Sequence, residues 1–255
     1  MMLFDSHAHY DDPRFEQDLD TLLPSMEGMG VKYITNVGTD LETSRFTAKL
    51  CEKYPFIWGA VGFHPQQAKD ADEQGFEEIG SMLSLPKIKA LGEIGLDYYY
   101  DRSERSVQRE VFARQLDIAY RMGMPVIVHE REACKEVLDI IKASPCRNGV
   151  IHCFSGSTDT AREYLNLGFY ISFTGVVTYK NARLAPIAAA FVPDDRIMAE
   201  TDCPYLTPVP FRGKRNDSGY LKYTVARIAE ARGITFEHAA QMTYENACRF
   251  FGIDR

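Results

Sequence analysis

The sequence predicts an α/β fold, a (β/α)8 TIM barrel with an additional C-terminal helix. Three observations carry that reading. Short β-branched runs alternate with longer segments of helical spacing along the whole chain. Glycines stand where a helix should stop before the next strand, the position that left-handed C-caps favour. Residues able to bind metal gather at the ends of the runs, where barrels of this class build their sites.

The eight strand candidates are Met2–His9, Tyr33–Val37, Phe56–Phe63, Ile88–Leu96, Pro125–His129, Gly149–Phe154, Phe169–Thr174 and Arg196–Thr201. Helical spacing marks Asp18–Met29, Leu41–Tyr54, Glu104–Met122, Ala133–Ala143 and Thr158–Leu167 between them. Met29-Gly30, Met122-Gly123 and Leu167-Gly168 supply the stops. Strands separated by helices pair in parallel, and eight such units are the number a closed barrel needs. Tyr220–Arg232 is then the eighth helix and Phe236–Phe250 the additional one. No linker, low-complexity tract or internal repeat interrupts the pattern, so one domain over residues 1–255 is expected.

Composition agrees and excludes several classes. Hydrophobic residues at 45% and charged residues at 25% suffice for a large core, which argues against disorder. Six scattered cysteines without a Cys-x-x-Cys pair, and no basic-then-apolar leader, point to reduced thiols in a cytoplasmic protein. No apolar run is long enough to span a bilayer, so no membrane partner is expected. A net charge of −7 opposes broad attraction to nucleic acid, while leaving room for a local basic patch or a bound cation to hold phosphate. Nothing on the surface decides the oligomeric state.

The tripeptide His7-Ala8-His9 is the most informative segment. Residues i and i+2 of a strand share a face, so two imidazoles project together and supply half of a tetrahedral site. Alone, such a pair is as readily a surface feature, and a lone His152 would more often be a core histidine. Glu93, His129, His152 and Asp202 change the weighting, because each stands at or just past the end of an apolar run, and five of the six histidines do so. A barrel brings such ends to one face.

At this point the chain resembles a known family. Phe4-Asp5-Ser6-His7-Ala8-His9, Gly62-Phe63-His64-Pro65, Gly92-Glu93-Ile94-Gly95-Leu96-Asp97, His129-Glu130-Arg131-Glu132-Ala133, His152-Cys153-Phe154-Ser155-Gly156 and Glu200-Thr201-Asp202-Cys203-Pro204-Tyr205-Leu206 together look like the TatD family of metal-dependent hydrolases, within the amidohydrolase-like barrels. The resemblance implies two divalent ions (Mg, Mn or Zn) and deoxyribonuclease activity, often removing nucleotides from a 3′ end. It puts His7, His9, Glu93 and Asp202 around one metal and Glu93, His129 and His152 around the other, with Glu93 as bridge. Two cations would activate a water and polarise a phosphoryl oxygen, and Asp202 would take the proton as general base.

His64, after the third strand, is expected to donate a hydrogen bond to phosphate or to the leaving oxygen. Arg131, two residues past His129, shares its direction if the strand stays extended, and a guanidinium there can grip phosphate with two parallel bonds. Arg212, Lys214 and Arg215 form a basic loop beside the expected site, and Tyr98, Tyr99 and Tyr100 follow the Glu93 strand, where they either stack on a base or pack in the loop. DNA or another phosphodiester is thus the expected substrate. The alternative is an amide, ester or lactone, which the same metals could hydrolyse. Three positions depart from the family pattern, in two places. Arg215-Asn216-Asp217-Ser218 stands where Arg-Asn-Glu-Pro is common, and Glu132 where aspartate is. None of the three is an expected metal ligand.

Overall fold

A computed structural model describes residues 2–254. Strands and helices alternate as β1 (Leu3–Ala8), α1 (Leu19–Ser25), β2 (Val31–Val37), α2 (Leu41–Lys53), β3 (Ile57–Val61), α3 (Glu73–Leu83), β4 (Ile88–Asp97), α4 (Arg105–Met122), β5 (Val126–Arg131), α5 (Cys134–Ala143), β6 (Gly149–Ile151), α6 (Thr158–Asn166), β7 (Tyr170–Phe173), α7 (Leu184–Phe191), β8 (Ile197–Ala199), α8 (Leu221–Arg232) and α9 (Phe236–Phe251). The eight parallel strands form one sheet in chain order, β1 to β8. A parallel bridge between Ala8 and Cys203 returns the segment after β8 to β1. Asp202 N–H donates to His7 O at 2.9 Å and His9 N–H to Cys203 O at 2.8 Å across that bridge. This is the TIM-barrel fold that the sequence predicts, with α9 as the additional helix.

The expected glycine stops hold, with φ of +84° at Gly30, +67° at Gly123 and +92° at Gly168. Three details differ. The segment expected as a helix over Asp18–Met29 is α1 followed by a 3-10 turn at Glu27–Met29, because Pro24 lies inside α1 and cannot donate a backbone bond. β6 and β8 end earlier than their apolar runs, so His152 and Asp202 stand beyond the ladder. The backbone leaves the extended region there, with φ of +49° at Cys153 and +57° at Asp202. Lastly, α3 and α7 fill two intervals in which spacing alone names no helix. Gly75 and Gly80 weaken the helical signal in α3, and Pro186 in the apolar stretch of α7 obscures its polar face.

Residues pack into two compact units, one of Met1–Asn36, Cys153–Leu165 and Tyr170–Arg255, the other of Val37–His152 and Asn166–Phe169. In the first unit, α9 packs its aromatic face on the starts of the strands. Phe4 stacks on Phe251 with ring centroids 5.6 Å apart and meets Tyr33 edge-on at 5.6 Å. Asn246 of α9 donates to the carbonyls of Asp194 and Ile197 at 2.7 and 2.8 Å, holding the entry to β8.

In the second unit, α4 carries two buried glutamines two turns apart on one face. Gln115 accepts from Phe63 N–H at 2.8 Å and donates to Phe63 O at 3.0 Å. Gln108 accepts from Asp97 N–H at 2.9 Å and donates to Asp97 O at 3.2 Å. One helix therefore fixes the backbone beside His64 and the end of β4 with groups that would be costly to bury unpaired.

Candidate metal centre

Within the first unit, His7, His9 and Asp202 come together. His7 and His9 Nε2 are 3.0 Å apart, and Asp202 Oδ1 lies 3.3 Å from His9 Nε2 and 3.8 Å from His7 Nε2. Ligands at about 2.1 Å from a tetrahedral metal stand roughly 3.4 Å from each other, so these two nitrogens and one oxygen have the spacing and chemistry of a divalent-metal donor set. His7 lies in β1 and His9 one residue past its end, held there by the bond from His9 N–H to Cys203 O.

Asp202 is positioned by its neighbours. The carboxylate of Asp5, fully buried, accepts from Thr201 N–H at 2.8 Å, Thr201 Oγ1–H at 2.5 Å and Ser218 Oγ–H at 2.6 Å. Burial raises the Asp5 pKa to about 7 against the opposing pull of the Ser218 and Thr201 bonds. Buried Asn216 donates to Thr201 O at 3.0 Å and Tyr205 O at 2.6 Å, clamping both ends of the turn that carries Asp202. Glu200 accepts from Cys153 N–H at 2.6 Å.

The second unit gathers His64, Glu93, His129 and His152. Glu93 Oε1 lies 2.8 Å from His129 Nδ1, 3.6 Å from His152 Nε2 and 3.8 Å from His64 Nε2. The His64 and His129 rings meet edge-on with centroids 4.5 Å apart. Three imidazoles around one buried carboxylate again suit a divalent cation. Gln66 N–H donates to His64 Nδ1 at 3.1 Å, so that nitrogen is bare and the proton of a neutral His64 sits on Nε2.

Asp97 is a component that the sequence reading did not single out. Its Oδ2 lies 3.3 Å from His129 Nε2 and accepts from Gln66 Nε2 at 2.9 Å, while Oδ1 accepts from Tyr99 and Tyr100 N–H at 3.0 and 2.9 Å. Burial pushes its pKa up, yet His129, the Tyr100 amide and Gln66 together hold it well below the usual carboxylate range. Burial likewise disfavours the His129 cation, but Asp97 and Glu93 outweigh it and raise that pKa to about 9. A carboxylate on the far nitrogen of a metal-binding histidine is the usual means of fixing its tautomer. The signal was in the sequence: Asp97 lies four residues past Glu93 in one extended run, which is the same period-two rule that selects His7 and His9. Gly95, opposite His129 in the ladder, has φ of +140°, and a Cβ there would lie 2.0 Å from His129 O.

The cationic residues fall in different settings. The exposed Arg131 guanidinium lies 4.0 Å from the Tyr99 ring centre and 4.7 Å from that of Tyr100. Arg212 stacks on Tyr179 at 4.4 Å, and Lys214 lies 5.4 Å from the Phe211 ring centre. Arg215 points back into the first unit, donating to Asp18 Oδ1 and Oδ2 at 2.8 and 2.6 Å and to Arg14 O at 2.7 Å.

Residues 4–252 match the family model of TatD-related DNases. The chain belongs to the TatD family. It is accordingly a metal-dependent hydrolase with the amidohydrolase-like barrel. YabD of Bacillus subtilis (strain 168), named an uncharacterized metal-dependent hydrolase, is 41% identical over 255 residues, covering 99% of this chain and all 100% of YabD. The TatD of Citrobacter rodentium (strain ICC168), named a 3'-5' ssDNA/RNA exonuclease, is 32% identical over 258 residues and 98% of each chain. The crystal structure of YjjV, a TatD homologue from Escherichia coli K12, superposes with a TM-score of 0.94 at 29% identity, covering 99% of this chain and 98% of YjjV. Among the described residues no helix is long and apolar enough to cross a membrane.

Proposed function

We propose that this TatD-family hydrolase is a deoxyribonuclease that removes nucleotides from the 3′ end of single-stranded DNA. The observation that carries the reading is that each unit holds a His/carboxylate cluster and that the second also holds a histidine whose Nε2 carries its proton. The similarity to the Citrobacter exonuclease supports the choice of substrate.

His7, His9 and Asp202 would hold one divalent cation, and Glu93, His129 and His152 the second. Bound there, such cations polarise a phosphoryl oxygen and acidify water. The side chains do the rest. Asp202, 14% exposed at its side chain, accepts the proton of the attacking water. His64 keeps its Nε2 proton and offers it as a hydrogen bond to phosphate or to the leaving oxygen, a role suited to a neutral ring whose other nitrogen is engaged as an acceptor. Arg131, Arg212 and Lys214 offer guanidinium and ammonium groups to the phosphates of the strand, whereas Arg215 is committed to Asp18.

Purified protein given Mn or Mg and an end-labelled single strand should release nucleotides stepwise from the 3′ end. Asp202→Asn should lose activity by about a hundredfold or more, the scale of removing an acid–base group, and His129→Ala should lose activity together with affinity for the second cation. Absence of metal-dependent release, together with turnover of an amide, ester or lactone panel, would overturn the nuclease reading in favour of carbonyl hydrolysis.

A further inference from the structure

The turn after β4 ends in two aromatic rings that the hydrolytic reading does not use. Three tyrosines occur in sequence there, and they are treated differently. Tyr98 is tied down, its hydroxyl donating to Glu136 Oε2 at 2.8 Å with Arg105 over its ring at 4.3 Å. Tyr99 and Tyr100 are instead 55% and 49% exposed. Their rings meet edge-on, centroids 5.0 Å apart, and the Arg131 guanidinium covers both at 4.0 and 4.7 Å. An exposed aromatic pair beside a planar cation is the surface on which unpaired bases stack, since every base has a π-face and guanidinium adds a second flat partner.

This pair is not loosely held. Its two backbone N–H groups end on Asp97 Oδ1, and the other oxygen of the same carboxylate faces His129. One buried side chain thus sets both the aromatic turn and a ring of the metal cluster. We propose that Tyr99, Tyr100 and Arg131 form a nucleobase-stacking subsite that selects unpaired over paired strands. The proposal rests on the nuclease reading above. Arg131 here acts through its flat face as well as its charge, so lysine is not an equivalent substitute.

Fluorescence anisotropy of a labelled thymidine tetranucleotide against an abasic tetranucleotide of equal charge tests this, both with phosphorothioate linkages to slow turnover. The metal-loaded enzyme should bind the base-bearing strand about tenfold more tightly, the lower range of one base stacked on aromatic side chains. Tyr99→Ala with Tyr100→Ala should erase that preference, Tyr99→Phe with Tyr100→Phe should retain it, and Arg131→Lys should reduce it. Equal binding of both strands by the unmodified enzyme, or an unchanged preference in the alanine pair, would overturn the subsite. Nucleotide release is measured separately on the same preparations. Base-dependent binding without release refutes the nuclease reading and supports the subsite, whereas release without base-dependent binding refutes the subsite alone.

Discussion

Replacing Asp97 by asparagine changes one atom and tests how the second cluster is tuned. In Asp97→Asn the carbonyl oxygen can still accept from Tyr99 and Tyr100 N–H, so the turn keeps its two bonds of 3.0 and 2.9 Å. The amide NH2 then occupies the place of Oδ2, facing Gln66 Nε2 at 2.9 Å and His129 Nε2 at 3.3 Å. Facing a donor, the Nε2 of a neutral His129 becomes the bare nitrogen, and its proton sits on Nδ1, the atom 2.8 Å from Glu93 that would face a bound cation. Loss of such a carboxylate partner costs about 10–100-fold in metal affinity. The Gln66 donor that loses its acceptor should cost about 1–2 kcal/mol more, and at about 2–4 °C per kcal/mol for a chain of this size the melting temperature should fall by roughly 2–8 °C. Calorimetric titration with Mn and thermal melts of the metal-free protein read the two effects apart. Wild-type affinity with a lowered melting temperature would refute the tautomer argument.

Further outcomes follow from other positions. His7→Ala with His9→Ala should empty one metal position while His129 and His152 retain the other, as counted by elemental analysis; loss of both or neither would contradict a two-site assignment. Gly95→Ala should destabilise the chain by about 3 kcal/mol or more in chemical denaturation, because a Cβ 2.0 Å from His129 O forces the ladder apart at a proposed metal ligand. Asp12 predicts a pH signature. Hydrogen bonds from Arg14, then the Arg14 backbone and Tyr205, outweigh burial and lower its pKa to about 2. The folded pKa is below the unfolded one, so the contribution is present above about pH 3.9 and fades as pH falls through 2. With Arg14 45% exposed, screening limits it to about 1 kcal/mol, so Asp12→Asn should lower the midpoint of urea unfolding at pH 6 and match the parent near pH 2.

Much of the barrel was legible because its determinants are local. β-Branched runs, glycine stops and the His-x-His spacing depend on residues a few positions apart. What escaped depends on partners far along the chain. The end of β8 at Ala199 is set by the turn that Asn216 clamps, and nothing near Ala199 announces it. Arg215 reads as part of a basic loop, yet Asp18, on the far side of the unit's sequence, claims both its nitrogens. The tautomer of His64 depends on which ring nitrogen meets Gln66 N–H, a matter of rotamer that residue type does not encode. Gln108 and Gln115 read as ordinary helix formers, and only burial against Asp97 and Phe63 makes them anchors.

The bridge between Ala8 and Cys203 also has a temporal meaning. Asp5 and Thr201, bonded to one another, are 196 positions apart in the chain. Closing so long a span is entropically costly and slow relative to the local pairings between successive strands. During synthesis, His7 and His9 emerge early and wait for Asp202, so their cluster forms only once the circle of strands shuts. A cation captured there binds the closed chain and not the open one, and it shifts that last step toward closure in proportion to its free concentration. The cluster would then act as a clasp, and chelation would loosen the seam between β1 and the segment after β8.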